Sequence, residues 1–272
     1  LYHRRREFED IFALPLDFHN LPVLQDYFAD KNDLMDIADN YLRKNYFDDA
    51  LIIYERLSAG AADNDDTLYQ KIGYCKQMNG DYEGAITEYT KAAIINPESK
   101  WLLRRTAQCY RAVKKPEMAI VYYLQYEKLE PENFSILLNI GSCYLDMKNY
   151  TEALRYYFKV DYLDTEGNKA WRPIAWCSFL TGKYDQARHS HTKLLTHNPD
   201  SQDYMNAGHT EWVLMTVKDA LELYKKSIET DKDGYEKFRM EFEHDIPELT
   251  AAGVDMAKIP LILDQLQYSI DN

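Results

Sequence analysis

Glycine and proline are scarce in this 272-residue chain, with 10 and 9 respectively. Little loop material is therefore left on which to mount a catalytic site. There is no glycine-rich phosphate loop, no GxSxG elbow and no HExxH helix, so no catalytic constellation is legible and the chain reads as a non-enzyme without a cofactor or metal. No apolar run approaches the roughly 20 residues that a membrane-spanning helix needs. Positive charge is also short. Lys and Arg number 32 against 45 Asp and Glu, a net charge of −13. That balance argues against nucleic acid and anionic membrane as partners, because phosphate binding needs a surplus of cations. The chain starts at Leu1 without a methionine, and His3-Arg4-Arg5-Arg6 leads into acidic residues where a signal peptide would be apolar. A cut from a longer chain is the expected explanation.

What is present in quantity is aromatic side chains, and they recur at a fixed interval. The pattern Ala-x-x-x-aromatic occurs at Ala50/Tyr54, Ala85/Tyr89, Ala119/Tyr123, Ala153/Tyr157 and Ala220/Tyr224, and Ala187/His191 fills the same slot. Successive alanines are 35, 34, 34, 34 and 33 residues apart. Twelve residues before each lies a small residue: Ala38, Gly73, Ala107, Gly141, Ala175 and Gly208. Four before that lies a large one: Leu34, Tyr69, Leu103, Leu137, Trp171 and Tyr204. Pro97, Pro131 and Pro199 close three of the units. Turn residues Asn45, Asn79-Gly80-Asp81, Lys148-Asn149 and Thr181-Gly182 divide units into two amphipathic halves. The small residues let paired helices approach closely, and a larger residue at Gly141 is expected to overpack that contact.

A period of about 34 residues with these columns resembles the tetratricopeptide repeat family, and within it bacterial members. The resemblance covers residues 31–234. It implies an all-α fold, a right-handed α-α superhelix of about six helix-turn-helix repeats with helical extensions at both ends. Residues 1–30 are expected to form an N-terminal helical extension or cap, 31–234 the six repeats, and 235–272 capping helices. The last expectation rests on Phe238, Phe242 and Ile246 at i, i+4, i+8, on Asp245-Ile246-Pro247-Glu248 as a helix start, and on Gly253 as a stop.

Cys75, Cys109, Cys143 and Cys177 are each 34 residues apart and so share one column. Equivalent positions in stacked repeats lie about 10 Å apart, beyond the roughly 7 Å that a disulfide allows. Free, packed thiols are expected, and they favour a reducing compartment, the cytoplasm. Four ligands so dispersed cannot converge on a zinc ion. His189 and His191 point about 200° apart on a helix and cannot chelate together.

The resemblance also implies that the first helix of each repeat lines a concave groove. It carries over Gln70, Tyr74 and Gln77, then Trp101, Arg104, Arg105, Gln108 and Arg111, then Asn139, then Arg172, Trp176 and Phe179, and finally Asn206, His209 and Trp212. Arg, Trp and Tyr are enriched in binding hot spots, and arginine forks suit carboxylates. The expected function is a scaffold that binds a protein or peptide segment, acidic or carboxylate-ended, in this groove. The competing reading of the same residues has Trp101 and Trp176 packing between helices and the arginines pairing with local carboxylates. Asn139 and Arg105 sit in columns that a chaperone-tail clamp would use, but that set is incomplete and out of order. The alternative function is a regulatory or oligomerisation module of a larger protein whose active domain precedes Leu1. Oligomeric state is not legible.

Overall fold

The computed structural model describes residues 31–59, 65–165 and 167–271. The extension expected over residues 1–30 lies outside them. Fifteen α-helices and no strand occur among the described residues. The chain divides into two compact units between Lys114 and Lys115.

The first unit holds α1 (Lys31–Arg43), α2 (Phe47–Ala59), α3 (Asp66–Met78), α4 (Tyr82–Ile95) and α5 (Lys100–Ala112). Each packs on the next in chain order. The second unit holds α6 (Pro116–Leu129), α7 (Phe134–Asp146), α8 (Tyr150–Leu163), α9 (Trp171–Leu180), α10 (Tyr184–Leu195), α11 (Ser201–Val213) and α12 (Val217–Thr230), packed in the same sequential way. There follow α13 (Gly234–His244), α14 (Ile246–Ala251), a 3₁₀ turn (Met256–Lys258) and α15 (Ile259–Asp271).

The helix starts are set by side-chain caps. Asp65, Ser99, Asn133 and Asp200 each accept a hydrogen bond from the backbone N–H three residues on, at the heads of α3, α5, α7 and α11. The turn inside each pair is set by one left-handed residue: Asn45, Gly80, Lys148, Gly182 and Met215 all have positive φ, and so does Lys114 at the end of the first unit. Around Gly80 the Asp81 N–H donates to the Lys76 carbonyl at 2.9 Å and the Gly80 N–H to Gln77 at 3.1 Å. The same two bonds recur around Asn45, Lys148, Gly182 and Met215. This is the Schellman closure, which satisfies carbonyls left over at a helix end. It recurs with the sequence period, so the repeat is a repeat of turn chemistry as well as of core residues.

Between paired helices the small column meets the aromatic column. A Cβ placed on Gly73, Gly141 or Gly208 would stand 2.6, 2.5 or 2.4 Å from the ring of Tyr89, Tyr157 or Tyr224. All three rings are fully buried. The glycines are therefore the floor on which the tyrosines lie. The tyrosine hydroxyls find partners on the facing helix: Tyr89 donates to Gln77 Oε1 at 2.8 Å, and the Tyr224 oxygen meets His209 Nδ1 at 2.9 Å. All four cysteines are buried in the cores, on α3, α5, α7 and α9.

The core of the second unit continues into the C-terminal helices. Phe238, Phe242, Leu249, Ile259, Ile262 and Leu266 form one cluster with Phe179, Met205, Trp212 and Tyr224. Phe242 is the hub, 5.5 Å from the Tyr224 ring, 5.2 Å from His209 and 6.2 Å from Trp212.

Candidate functional site

The residues expected to line a groove divide between the two units, and the structure gives them unlike surroundings. In the first unit, α3 and α5 bring Tyr74, Trp101 and Arg105 together. The Arg105 guanidinium carbon lies 4.9 Å from the Tyr74 ring centre and 5.4 Å from that of Trp101. The two rings are 6.4 Å apart. Phe47, the first residue of α2, extends the aromatic row at 6.0 Å from Tyr74, and Tyr89 meets Trp101 edge-on at 5.5 Å. Arg105 Nε is buried and has no hydrogen-bond partner among the described residues. Neither Arg104 nor Arg105 has a carboxylate at ion-pair distance there. The charge of Arg105 is felt nearby: burial pushes the Cys109 thiol up to about 11, and Arg105 partly opposes that rise. Gln108 and Arg111 continue the same helix and are half-buried. Gln70 and Gln77 of α3 are already engaged, with Asp66 and Tyr89.

In the second unit the corresponding residues are largely committed to structure. Arg172 forms a fork with Asp203, at 2.8 Å from Nε and 2.7 Å from Nη2, and reaches Asp200 at 3.0 Å. Asn139 donates to the Ser135 carbonyl at 2.6 Å, and Asn206 accepts from Gln202 at 3.0 Å. Phe179, His209 and Trp212 are buried at 2, 0 and 4 % exposure. His209 and Trp212 lie beneath Phe242 of α13, and Phe179 is in the same cluster. Trp176 is half-buried and stacks flat on Phe179 at 5.4 Å. His209 faces Asp245 at 3.4 Å. Burial opposes ionisation of Asp245, but bonding from His209 and His244 outweighs it and lowers its carboxyl pKa.

One feature of this unit is not among the residues expected from the sequence. Tyr150, Phe179, Leu180 and Tyr184 face Pro247, Glu248, Ala251 and Ala252 of the α14 region across a recess of about 190 Å³. Tyr150 and Tyr184 are the first residues of α8 and α10, and Phe47 and Tyr82 open α2 and α4 at the same register. That aromatic column was available in the sequence. Glu248 was not, because it arrives from a helix outside the repeats.

Among the described residues no group of three or more His, Cys, Asp and Glu could hold a metal, and no helix is long and apolar enough to cross a membrane.

Comparison with known proteins bears on the fold. Residues 134–166, which hold α7 and α8, match the tetratricopeptide repeat model. The chain carries a tetratricopeptide repeat there. The same columns recur at the same period in the flanking helix pairs. Its structure resembles crystal structures of MamA. One is 22 % identical, covering 61 % of this chain and 91 % of that one with a TM-score of 0.57. Another is 21 % identical over 60 % of this chain and 95 % of that one, TM-score 0.56. A MamA fragment from Desulfovibrio magneticus RS-1 is 16 % identical over 62 % and 97 %, TM-score 0.57. At these identities the likeness is one of fold. No curated protein matches the sequence.

Proposed function

We propose that this tetratricopeptide protein is a protein-interaction scaffold, and that its first unit binds an acidic or carboxylate-ended peptide segment. The observation that carries the reading is Arg105, set against the rings of Tyr74 and Trp101 with a buried Nε that has no hydrogen-bond partner among the described residues. A desolvated donor left unbonded is costly, and a carboxylate is the group whose geometry fits a guanidinium fork. Arg104 adjoins it on α5, also without an ion-pair partner among the described residues. In a chain of net charge −13, two uncommitted arginines beside an aromatic row mark a local site of opposite sign. Arg172, by contrast, is already neutralised by Asp203. The rings of Phe47, Tyr74 and Trp101 supply the apolar contact that anchors a side chain next to the carboxylate.

The test is a set of fluorescent acidic hexapeptides, each made with a free and with an amidated C-terminus, titrated by anisotropy. Arg105→Met keeps the stem between the rings and removes the fork, and it should weaken the best peptide by about tenfold or more. Equal affinity for wild type and Arg105→Met would sink the reading. The free and amidated pair shows whether the recognised group is the terminus or a side chain.

A further inference from the structure

We propose that the recess bounded by Tyr150, Phe179, Tyr184 and Glu248 binds a primary alkylammonium group, such as the end of a lysine side chain. Every one of these residues belongs to the second unit, so the inference is independent of the peptide reading for the first.

The recess has the chemistry of a cation site on three counts. First, Glu248 Oε2 is buried and has no hydrogen-bond partner, and no Lys or Arg forms an ion pair with Glu248 among the described residues. A buried carboxylate oxygen without a partner is among the costlier arrangements a fold can keep, and a cation donor relieves it. Second, the walls are aromatic. Phe179 and Tyr184 meet edge-to-face at 5.6 Å, and Trp176 stacks behind Phe179 at 5.4 Å. Ring faces attract ammonium groups, and the attraction grows as water is excluded. Tyr150 adds a phenol whose proton is held more firmly than usual, by burial first and by the neighbouring Glu248 charge second. Third, the volume of about 190 Å³ suits the end of one extended side chain and excludes a helix or a bulky ring system.

Other ligand classes fit less well. A divalent metal needs several oxygen ligands, and the recess offers one carboxylate. An anion would meet Glu248 with no cation to offset it. A neutral apolar group would fill the volume and leave Oε2 unsatisfied. None of the described residues around the recess is basic, so among them an incoming ammonium has no competitor.

The experiment is an NMR titration of the full chain at pH 7 and low salt with three probes: n-butylammonium chloride, n-butanol, and the peptide acetyl-Gly-Lys-Gly-amide. Expected are saturable shifts with both cations and affinity for n-butanol at least tenfold weaker. The isosteric Glu248→Gln should weaken n-butylammonium by tenfold or more, and Tyr184→Leu by several-fold, with melting curves confirming that both variants fold. A lysine peptide that binds more tightly than n-butylammonium places the group on a protein partner. Equal or weaker binding places it on a free amine. The proposal is overturned if neither cation saturates, if n-butanol binds as well as n-butylammonium, or if a folded Glu248→Gln variant binds unchanged. The alcohol comparison uses wild type alone, so it decides even if the variants unfold.

Discussion

His191 occupies a slot that holds tyrosine in the five other repeats, and the substitution has a thermodynamic signature. The ring is buried and neither nitrogen has a hydrogen-bond partner among the described residues. Burial depresses its pKa from 6.5 to about 4. The folded protein thus keeps the imidazole neutral while the unfolded chain takes up a proton near pH 6.5. Stability from this group is complete above that pH and falls as pH drops toward 4, by roughly 3 kcal/mol in all. His191→Phe should remove this slope between pH 6.5 and 4 and raise the melting temperature at pH 7, since an unbonded buried polar group costs roughly 1–3 kcal/mol. Urea melts across pH 4–7 check both; a parallel slope in the variant would assign the acid sensitivity to Asp245, Glu211 and other carboxylates with lowered pKa. The glycines of the small column make the opposite case. In a helix interior Gly→Ala ordinarily gains about 1 kcal/mol. At Gly141 the new methyl would meet the Tyr157 ring at 2.5 Å, and overpacking costs roughly 1–3 kcal/mol. Gly141→Ala should therefore lower stability, and a rise in melting temperature would show that Tyr157 can move aside.

At the scale of the element, the turns show what the sequence disclosed and what it hid. Asn45, Gly80 and Gly182 carry the residues that favour a left-handed backbone, and those turns were legible. Lys114 and Met215 carry no such signal, yet they adopt φ of 56° and 65° at the same point of the period. Only the period points to them. Met215 is 75 % exposed, so its side chain contributes little to offset the backbone strain. A left-handed conformation costs a non-glycine residue about 1–2 kcal/mol, and glycine returns part of that in unfolded-state entropy. Met215→Gly should stabilise the chain by about 0.5–1 kcal/mol, read as a shift in urea midpoint without change in slope. The candidate sites follow the same division. Tyr74, Trp101 and Arg105 were named through the family resemblance, and the structure brings those three side chains together. Phe47, Tyr150 and Tyr184 open second helices, and the resemblance pointed only to first helices. The column pattern also placed Phe179, His209 and Trp212 correctly in their first helices, but it could not show that the C-terminal helices cover them.

At the scale of the molecule, the helix pairs were written in the sequence at a single period, and the contacts of the C-terminal helices were not. Phe238 and Phe242 announced an apolar face, but no local pattern says which surface such a face will meet. The structure seats it on Phe179, Trp212 and Tyr224. A chain ending at Asp233 would present those rings to water, and terminal pairs of a repeat array depend on such cover. The truncated chain should melt at lower temperature and bind an apolar dye that the full chain ignores; unchanged melting would mean that α13–α15 add no stability.

The buried cysteines give this molecule an internal clock. Each of α3, α5, α7 and α9 holds one thiol in its core, and burial pushes Cys75 and Cys177 up to about 12 and Cys109 to about 11. The reactive species is the thiolate, so a folded helix is silent to an alkylating reagent and an opened one responds. Four sites at one interval along the chain, two in each unit, would then report local opening in sequence order. The time course of modification, resolved by mass spectrometry, would read out which helices yield first and whether the chain opens as a whole or piece by piece.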